Sequence, residues 1–207
     1  MKVFFDTEFT GLHPGTTLIS IGCVAEDGRT FYAELTDFNV KDCDEWIREN
    51  VIANLSLISL TSNDAILGHI SSDVVGFVSL GNSSLDHATI CGDTVIVREY
   101  LTEWLKSYSR VELVSDVCYF DMVLFVGIFG HSFSLPDNVS ASCHDINQDI
   151  ADFMDCAESI AFDTNREDLA KQFGFVDNGE KHNALHDALI IKAIYEGIKD
   201  YKMNIEG

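Results

Sequence analysis

The stretch Lys2-Val3-Phe4-Phe5-Asp6-Thr7-Glu8 places the tightest limit on the fold. Side chains alternate along a strand, so three successive apolar residues make both faces apolar, and such a strand belongs in the middle of a sheet. The same alternation sends Asp6 and Glu8, two positions apart, to one face. Two carboxylates leaving one end of a buried strand together repel unless a positive group lies between them, so the pattern asks for a cation. Alone, it reads first as a strand end with two solvated acids, and the rest of the chain has to decide.

Residues 9–15 carry two glycines and a proline and read as a loop. Residues 17–25 read as a strand, 26–29 as a hairpin turn around Asp27-Gly28, and 30–35 as the returning strand, which makes a three-stranded meander. Trp46, Ile47, Val51 and Ile52 at helical spacing predict a short helix over 42–53. From 54 to 92 the pattern weakens, and this stretch is left unassigned as an insertion that packs over the core or helps to form a dimer contact.

Regularity returns at Asp93-Thr94, a helix start followed by Val97, Leu101, Trp104 and Leu105 on one face. A strand over 111–115 leads to a helix over 119–129 stopped by Gly130, and a further helix is expected over 146–157. Thr164 or Asn165 caps a helix through 166–173, and the last helix runs over 184–199. A meander followed by alternating helix and strand is an α/β order, with a mixed sheet of about five strands flanked by helices. The 207 residues suffice for one domain, 1–207, with the insertion around 54–92 inside it.

The formal net charge of −21, with only 13 Lys and Arg, argues against broad gripping of duplex nucleic acid through phosphate contacts. It leaves room for an enzyme that holds a strand end and draws positive charge from metal ions in an acidic pocket. The six cysteines form no Cys-x-x-Cys pair and are expected as free thiols. No run of about eighteen apolar residues and no leader is visible, so the expectation is a soluble, cytoplasmic protein with no membrane partner.

Downstream acids give the first strand its context. Asp187 borders the apolar face of the last helix, where a carboxylate costs several kcal/mol unless paired or bound to metal; a helix-start acid is the competing reading. His182, on the turn before that helix, can come beside such a metal and take a proton from water at near-neutral pH. His186 is expected to be structural. Asp121 lies near the buried face of the helix after strand 111–115, whereas Asp116, at the strand exit, reads as a helix cap.

Asp6-x-Glu8 on the first strand, Phe120-Asp121 on a later helix and His182-x-Ala184-x-x-Asp187-Ala188 on the last one resemble the three motifs of the DEDDh 3′-5′ exonucleases. Phe5-Asp6-Thr7-Glu8-Phe9-Thr10-Gly11-Leu12 is similar to the opening common to those enzymes, and residues 18–29 resemble the second-strand hairpin of RNase AS-type exoribonucleases. Val117 stands where the second motif often carries an Asn. The resemblance implies an RNase H-like fold and a metal-dependent 3′-5′ exoribonuclease that releases nucleoside 5′-monophosphates from single-stranded RNA, adenylate-rich ends included. It implies two divalent cations, Mg²⁺ or Mn²⁺, on Asp6, Glu8, Asp121 and Asp187, with His182 as general base. It further implies Thr7, Phe9, Thr10 and Leu12 as substrate contacts, and a homodimer. The competing readings are a 3′-5′ DNA exonuclease with the same site and a catalytically silent acidic mimic of nucleic acid.

Overall fold

The apolar run at the start of the chain is a buried strand, β1 (Lys2–Phe9). The computed structural model describes residues 1–58, 77–80, 86–176, 179 and 181–206. The further strands are β2 (Leu18–Ala25), β3 (Thr30–Leu35), β4 (Phe77–Leu80), β5 (His87–Gly92), β6 (Val111–Ser115) and β7 (Val139–Asp145). The helices are α1 (Glu45–Asn50), α2 (Thr94–Lys106), α3 (Cys118–Ile128), α4 (Ile146–Met154), α5 (Glu158–Phe162), α6 (Arg166–Gln172) and α7 (Ala184–Glu206). All seven strands form one mixed sheet in the order β4-β5-β3-β2-β1-β6-β7. The α/β class and the meander agree with the sequence reading, but the sheet is wider than the five strands expected. Strand β7 is rich in Ser and partly exposed at the sheet edge, so it carries no apolar signal.

The stretch 54–92, read as an insertion, ends in β5, which pairs parallel to β3 and buries Ala88, Ile90 and Cys91. Positions 59–76 and 81–85 of that stretch lie outside the described residues. The helix expected over 146–157 stops at Met154, because Asp155 takes the left-handed conformation (φ +50°) and ends it. Asn165, not Thr164, caps α6, its side chain accepting from the Asp168 N–H at 2.8 Å. None of the described helices is long and apolar enough to cross a membrane.

Alternation along β1 divides the core. Val3 and Phe5 pack with Leu101, Trp104 and Phe125 of α2 and α3, whereas Phe4 packs on the other face with Val114, Ile146 and Ile190. Each such fully buried side chain contributes about 1.5–3 kcal/mol. Asp6 and Glu8 share the face of Phe4 and therefore point toward α7; Thr7 shares the face of Phe5 and points toward α3. Parallel pairing of β1 with β6 runs only from Lys2↔Glu112 to Phe4↔Val114, while β1 continues to Phe9. The C-terminal half of β1 thus leaves open one hydrogen-bonding edge, in the crevice at the carboxyl ends of two parallel strands, where open α/β sheets bind ligands.

Candidate active site

Close approach of α7 to the sheet is written into one glycine. Gly22 of β2 stands opposite Asp6, and a Cβ built on it would lie 2.3 Å from the backbone of Ala184 and Leu185. Without a side chain there, the first turn of α7 rests directly on β2 and brings Asp187 to Asp6 and Glu8.

Asn183 begins α7: its side-chain oxygen accepts from the His186 N–H at 3.2 Å, and its carbonyl accepts from the Asp187 N–H at 2.9 Å. Its side-chain amide reaches the Tyr32 hydroxyl at 3.5 Å, and that hydroxyl donates to the buried carboxylate of Glu34. Before the cap, His182 adopts a left-handed backbone (φ +61°), uncommon for a residue with a side chain and concentrated at functional sites. In this conformation its N–H donates to Asp187 Oδ2 at 3.1 Å. Glu8, His182 and Asp187 each offer one ligand atom, and these atoms lie within 4.8 Å of one another. His186 is buried and packs near the Phe175 ring.

Asp121 arrives from the opposite side. Its Oδ1 accepts from the N–H and the hydroxyl of Thr7, the former at 3.2 Å, and its Oδ2 accepts from the Ser115 hydroxyl at 3.0 Å. The open edge of β1 explains the arrangement, because the Thr7 N–H that β6 does not engage is taken by this carboxylate.

Asp116 is not the helix cap that was expected. The residue before α3 is Val117, with φ +56° and no side-chain cap, and the Cys118 N–H is satisfied by Asp145 at 3.2 Å. Asp116 instead receives two hydrogen bonds from Arg166, at 2.6 and 3.0 Å, and one from Asn147 at 2.8 Å. Arg166 also donates to the Asn147 side chain and to the carbonyls of Ala161 and Thr164, so its guanidinium is spent on structure. Sequence reading gave no sign of this pair, since its members are 50 residues apart.

The acids raise one another's pKa. Burial first, then the charges of Asp121, Glu8, Asp187 and Asp116, holds Asp6 well above the usual carboxylate range. Glu8 is pushed up to about 8 by burial and by Asp187 and Asp121. Burial takes Asp121 to about 6 against the pull of its Thr7 and Ser115 hydrogen bonds. His182 is shifted the other way, lowered by burial and by Lys181 against a smaller opposing effect of Glu167, which keeps the ring neutral near pH 7.

Two clefts flank the acids. One, of about 240 Å³, is lined by Asp6, Asp116, Arg166, Lys181, His182 and Asp187. The other, of about 460 Å³, is largely apolar, with Phe9, Leu12, Trp46, Ile47 and Val51 beside Glu8. Phe9 and Leu12 line this cleft. Thr7 and Thr10 do not: both are buried, Thr7 holding Asp121 and Thr10 bonded to Thr16 and Thr17 inside the loop. Trp46, assigned only to a helix from its spacing, is the wall residue that the sequence did not single out.

No family model matches the chain. Over 55 residues, 27% of its length, it is 46% identical to a 3′-5′ exoribonuclease from two strains of Mycobacterium tuberculosis. That match spans 33% of the relatives' own length. Among solved structures, it is similar to a 3′-exonuclease described in 3′-end specific recognition of a histone mRNA stem-loop (TM-score 0.58, 14% identity, 96% of this chain and 63% of that one). The nuclease domain of 3′hExo, a DEDDh family member bound to rAMP, aligns with TM-score 0.55 and 15% identity over 97% and 91% of the two chains. The Mg²⁺- and Mn²⁺-bound form of S. pombe Pop2p aligns with TM-score 0.57 and 14% identity over 96% and 82%. The chain has the RNase H-like fold of the DEDDh 3′-exonucleases.

The acids on β1, α3 and α7 and the histidine before α7 lie close enough to interact, although they are far apart in the sequence. The donor set fits hard divalent cations, which prefer carboxylate oxygens. Burial, with the neighbouring carboxylate charges added to it, raises Asp6 and Glu8, and a cation beside them would favour their charged forms.

Proposed function

We propose that this chain is a single metal-dependent 3′-5′ exonuclease domain, acting on the 3′ end of single-stranded RNA and releasing nucleoside 5′-monophosphates. The observation that carries the reading is the grouping of Glu8, His182 and Asp187 within 4.8 Å, with Asp6 and Asp121 beside them. Preference for RNA rests on the exoribonuclease relatives from M. tuberculosis.

Asp6, Glu8, Asp121 and Asp187 would hold two divalent cations, Mg²⁺ or Mn²⁺. Cations bound there would neutralise charge on the scissile phosphate and make water more acidic. His182, kept neutral by burial and by Lys181, accepts the proton of the attacking water at a ring nitrogen. Thr7 and Ser115 hold Asp121 in place by hydrogen bonds, and the His182 N–H does the same for Asp187. Phe9 and Leu12 offer the terminal base an apolar surface, and contact of this kind tolerates any base.

The test is a digestion panel of labelled homopolymer RNA and single-stranded DNA with Mg²⁺ or Mn²⁺, with Asp6→Ala as control. Stepwise release of nucleoside monophosphates from RNA, abolished by chelation and by Asp6→Ala, is expected; equal or faster release from DNA would overturn the ribonuclease preference. Faster release from oligoadenylate than from other RNA homopolymers would define the adenylate preference.

A further inference from the structure

Trp46 is a large aromatic side chain left 53% exposed on a helix that is otherwise tied down. Its neighbour Ile47 is buried, the Asp44 carboxylate accepts from the Ile47 N–H at 2.8 Å, and Arg48 donates to the carbonyls of Cys43 and Val40 at 3.0 and 2.6 Å. A helix of six residues is marginal by itself; these bonds close it onto the preceding turn, and Ile47 packs in a core cluster with Ile19 and Cys91 of the sheet, which gives the indole a defined place. That place is beside His182: the two rings meet edge to face, centroids 4.9 Å apart with an interplanar angle of 75°. An independent contact joins the same two segments, because the Asn54 side-chain amide donates to the Lys181 carbonyl at 2.9 Å.

Trp46 also lines the cleft of about 460 Å³ that holds Glu8, Phe9 and Leu12, with Leu12 77% exposed at its rim. Two exposed apolar side chains in one cleft, one of them an indole, suit a flat aromatic ligand. A single side chain therefore touches both the surface where a base would sit and the ring that would take the proton.

We propose that Trp46 is the positioning residue of His182, and that a nucleobase seated in the cleft against Trp46 fixes the imidazole beside Glu8 and Asp187. The proposal rests on the exonuclease reading and adds to it a coupling between recognition of the terminal base and placement of the general base. His182 lies on a left-handed turn, and its ring meets the Trp46 indole edge to face.

Trp46→Ala and Trp46→Phe are compared with wild type on one RNA oligomer with Mg²⁺, reading kcat and KM separately. A misplaced proton acceptor lowers kcat, and a loss of about tenfold at saturating RNA is expected for Trp46→Ala, together with a raised KM. Trp46→Phe, which restores a ring edge, returns most of the kcat. An unchanged kcat with only KM raised would reduce Trp46 to a wall of the cleft and overturn the positioning role. Equal loses of kcat in both variants would also overturn it. Should Trp46→Ala not fold, Trp46→Leu makes the same comparison.

A second readout does not need activity. The ring-proton NMR resonances of His182, identified by their loss in His182→Ala, are displaced by the indole ring current and move in Trp46→Ala. Resonances that stay in place would overturn the contact. A wild-type protein that releases no nucleotide from RNA or DNA, yet has a His182 signal sensitive to Trp46, would sink the exonuclease reading alone.

Discussion

The backbone N–H of His182 donates to Oδ2 of Asp187 at 3.1 Å, so the turn that carries the proposed base also clamps one of the proposed metal ligands. The bond requires the left-handed conformation of His182 and is independent of the imidazole. His182→Ala should therefore separate the two roles. Turnover falls by about 10²–10⁴-fold, the usual contribution of a positioned general base, while the rise in melting temperature on adding Mg²⁺ or Mn²⁺ is retained. Thermal unfolding with and without cation, beside single-turnover RNA hydrolysis, checks both halves; unimpaired turnover would remove His182 as the base.

Stability should depend on pH in the sense set by the raised carboxylates. Glu8 goes from an ordinary value of 4.5 to about 8 on folding, and Asp121 from 3.8 to about 6. Between each pair of values the folded chain holds more protons than the unfolded one, so the metal-free protein loses stability as pH rises from about 4 through 8. Divalent cation should flatten this fall by favouring the charged carboxylates. Melting temperatures across that range, with chelator and with Mg²⁺, give the two curves; a metal-free protein that gains stability from pH 5 to 8 would contradict the acid cluster.

Gly22→Ala should unseat α7. The added Cβ would stand 2.3 Å from backbone atoms of Ala184 and Leu185, which cannot yield as a flexible side chain would. Overpacking of this kind costs about 1–3 kcal/mol or more. Because the displaced turn carries Asp187, cation-induced stabilisation should be lost along with it, which chemical denaturation with and without Mg²⁺ measures.

Val117→Asn should stabilise the protein. Val117 has φ +56°, a conformation that β-branched residues rarely adopt and Asn enters more readily. Relief of that strain is worth about 1 kcal/mol, seen as a higher denaturation midpoint with an unchanged slope.

Much of the site was legible because strand and helix periodicities are local. Asp6 and Glu8 had to share a face, and Asp187 had to border the apolar side of the last helix, whatever the rest of the chain did. The role of Asp116 was not legible, because a cap and an ion pair use the same carboxylate and only the fold brings Arg166 across 50 residues to claim it. Thr7 and Thr10 lie next to Phe9 and Leu12 in sequence, yet their side chains turn inward. Strands β5 and β7 lacked a clear apolar pattern; β7 lies at the sheet edge, and β5 is held by its pairing with β3 and β4.

The sequence by itself determined a buried acidic first strand, a meander beside it and two later acids with a histidine on the edges of helices. Only the tertiary structure decided how they meet. The early end of β6 leaves the Thr7 N–H for Asp121, the bare Cα of Gly22 lets α7 deliver Asp187, and the anchored helix α1 sets Trp46 against His182. Each of these depends on distances between segments remote in sequence, which periodicity along one segment does not encode.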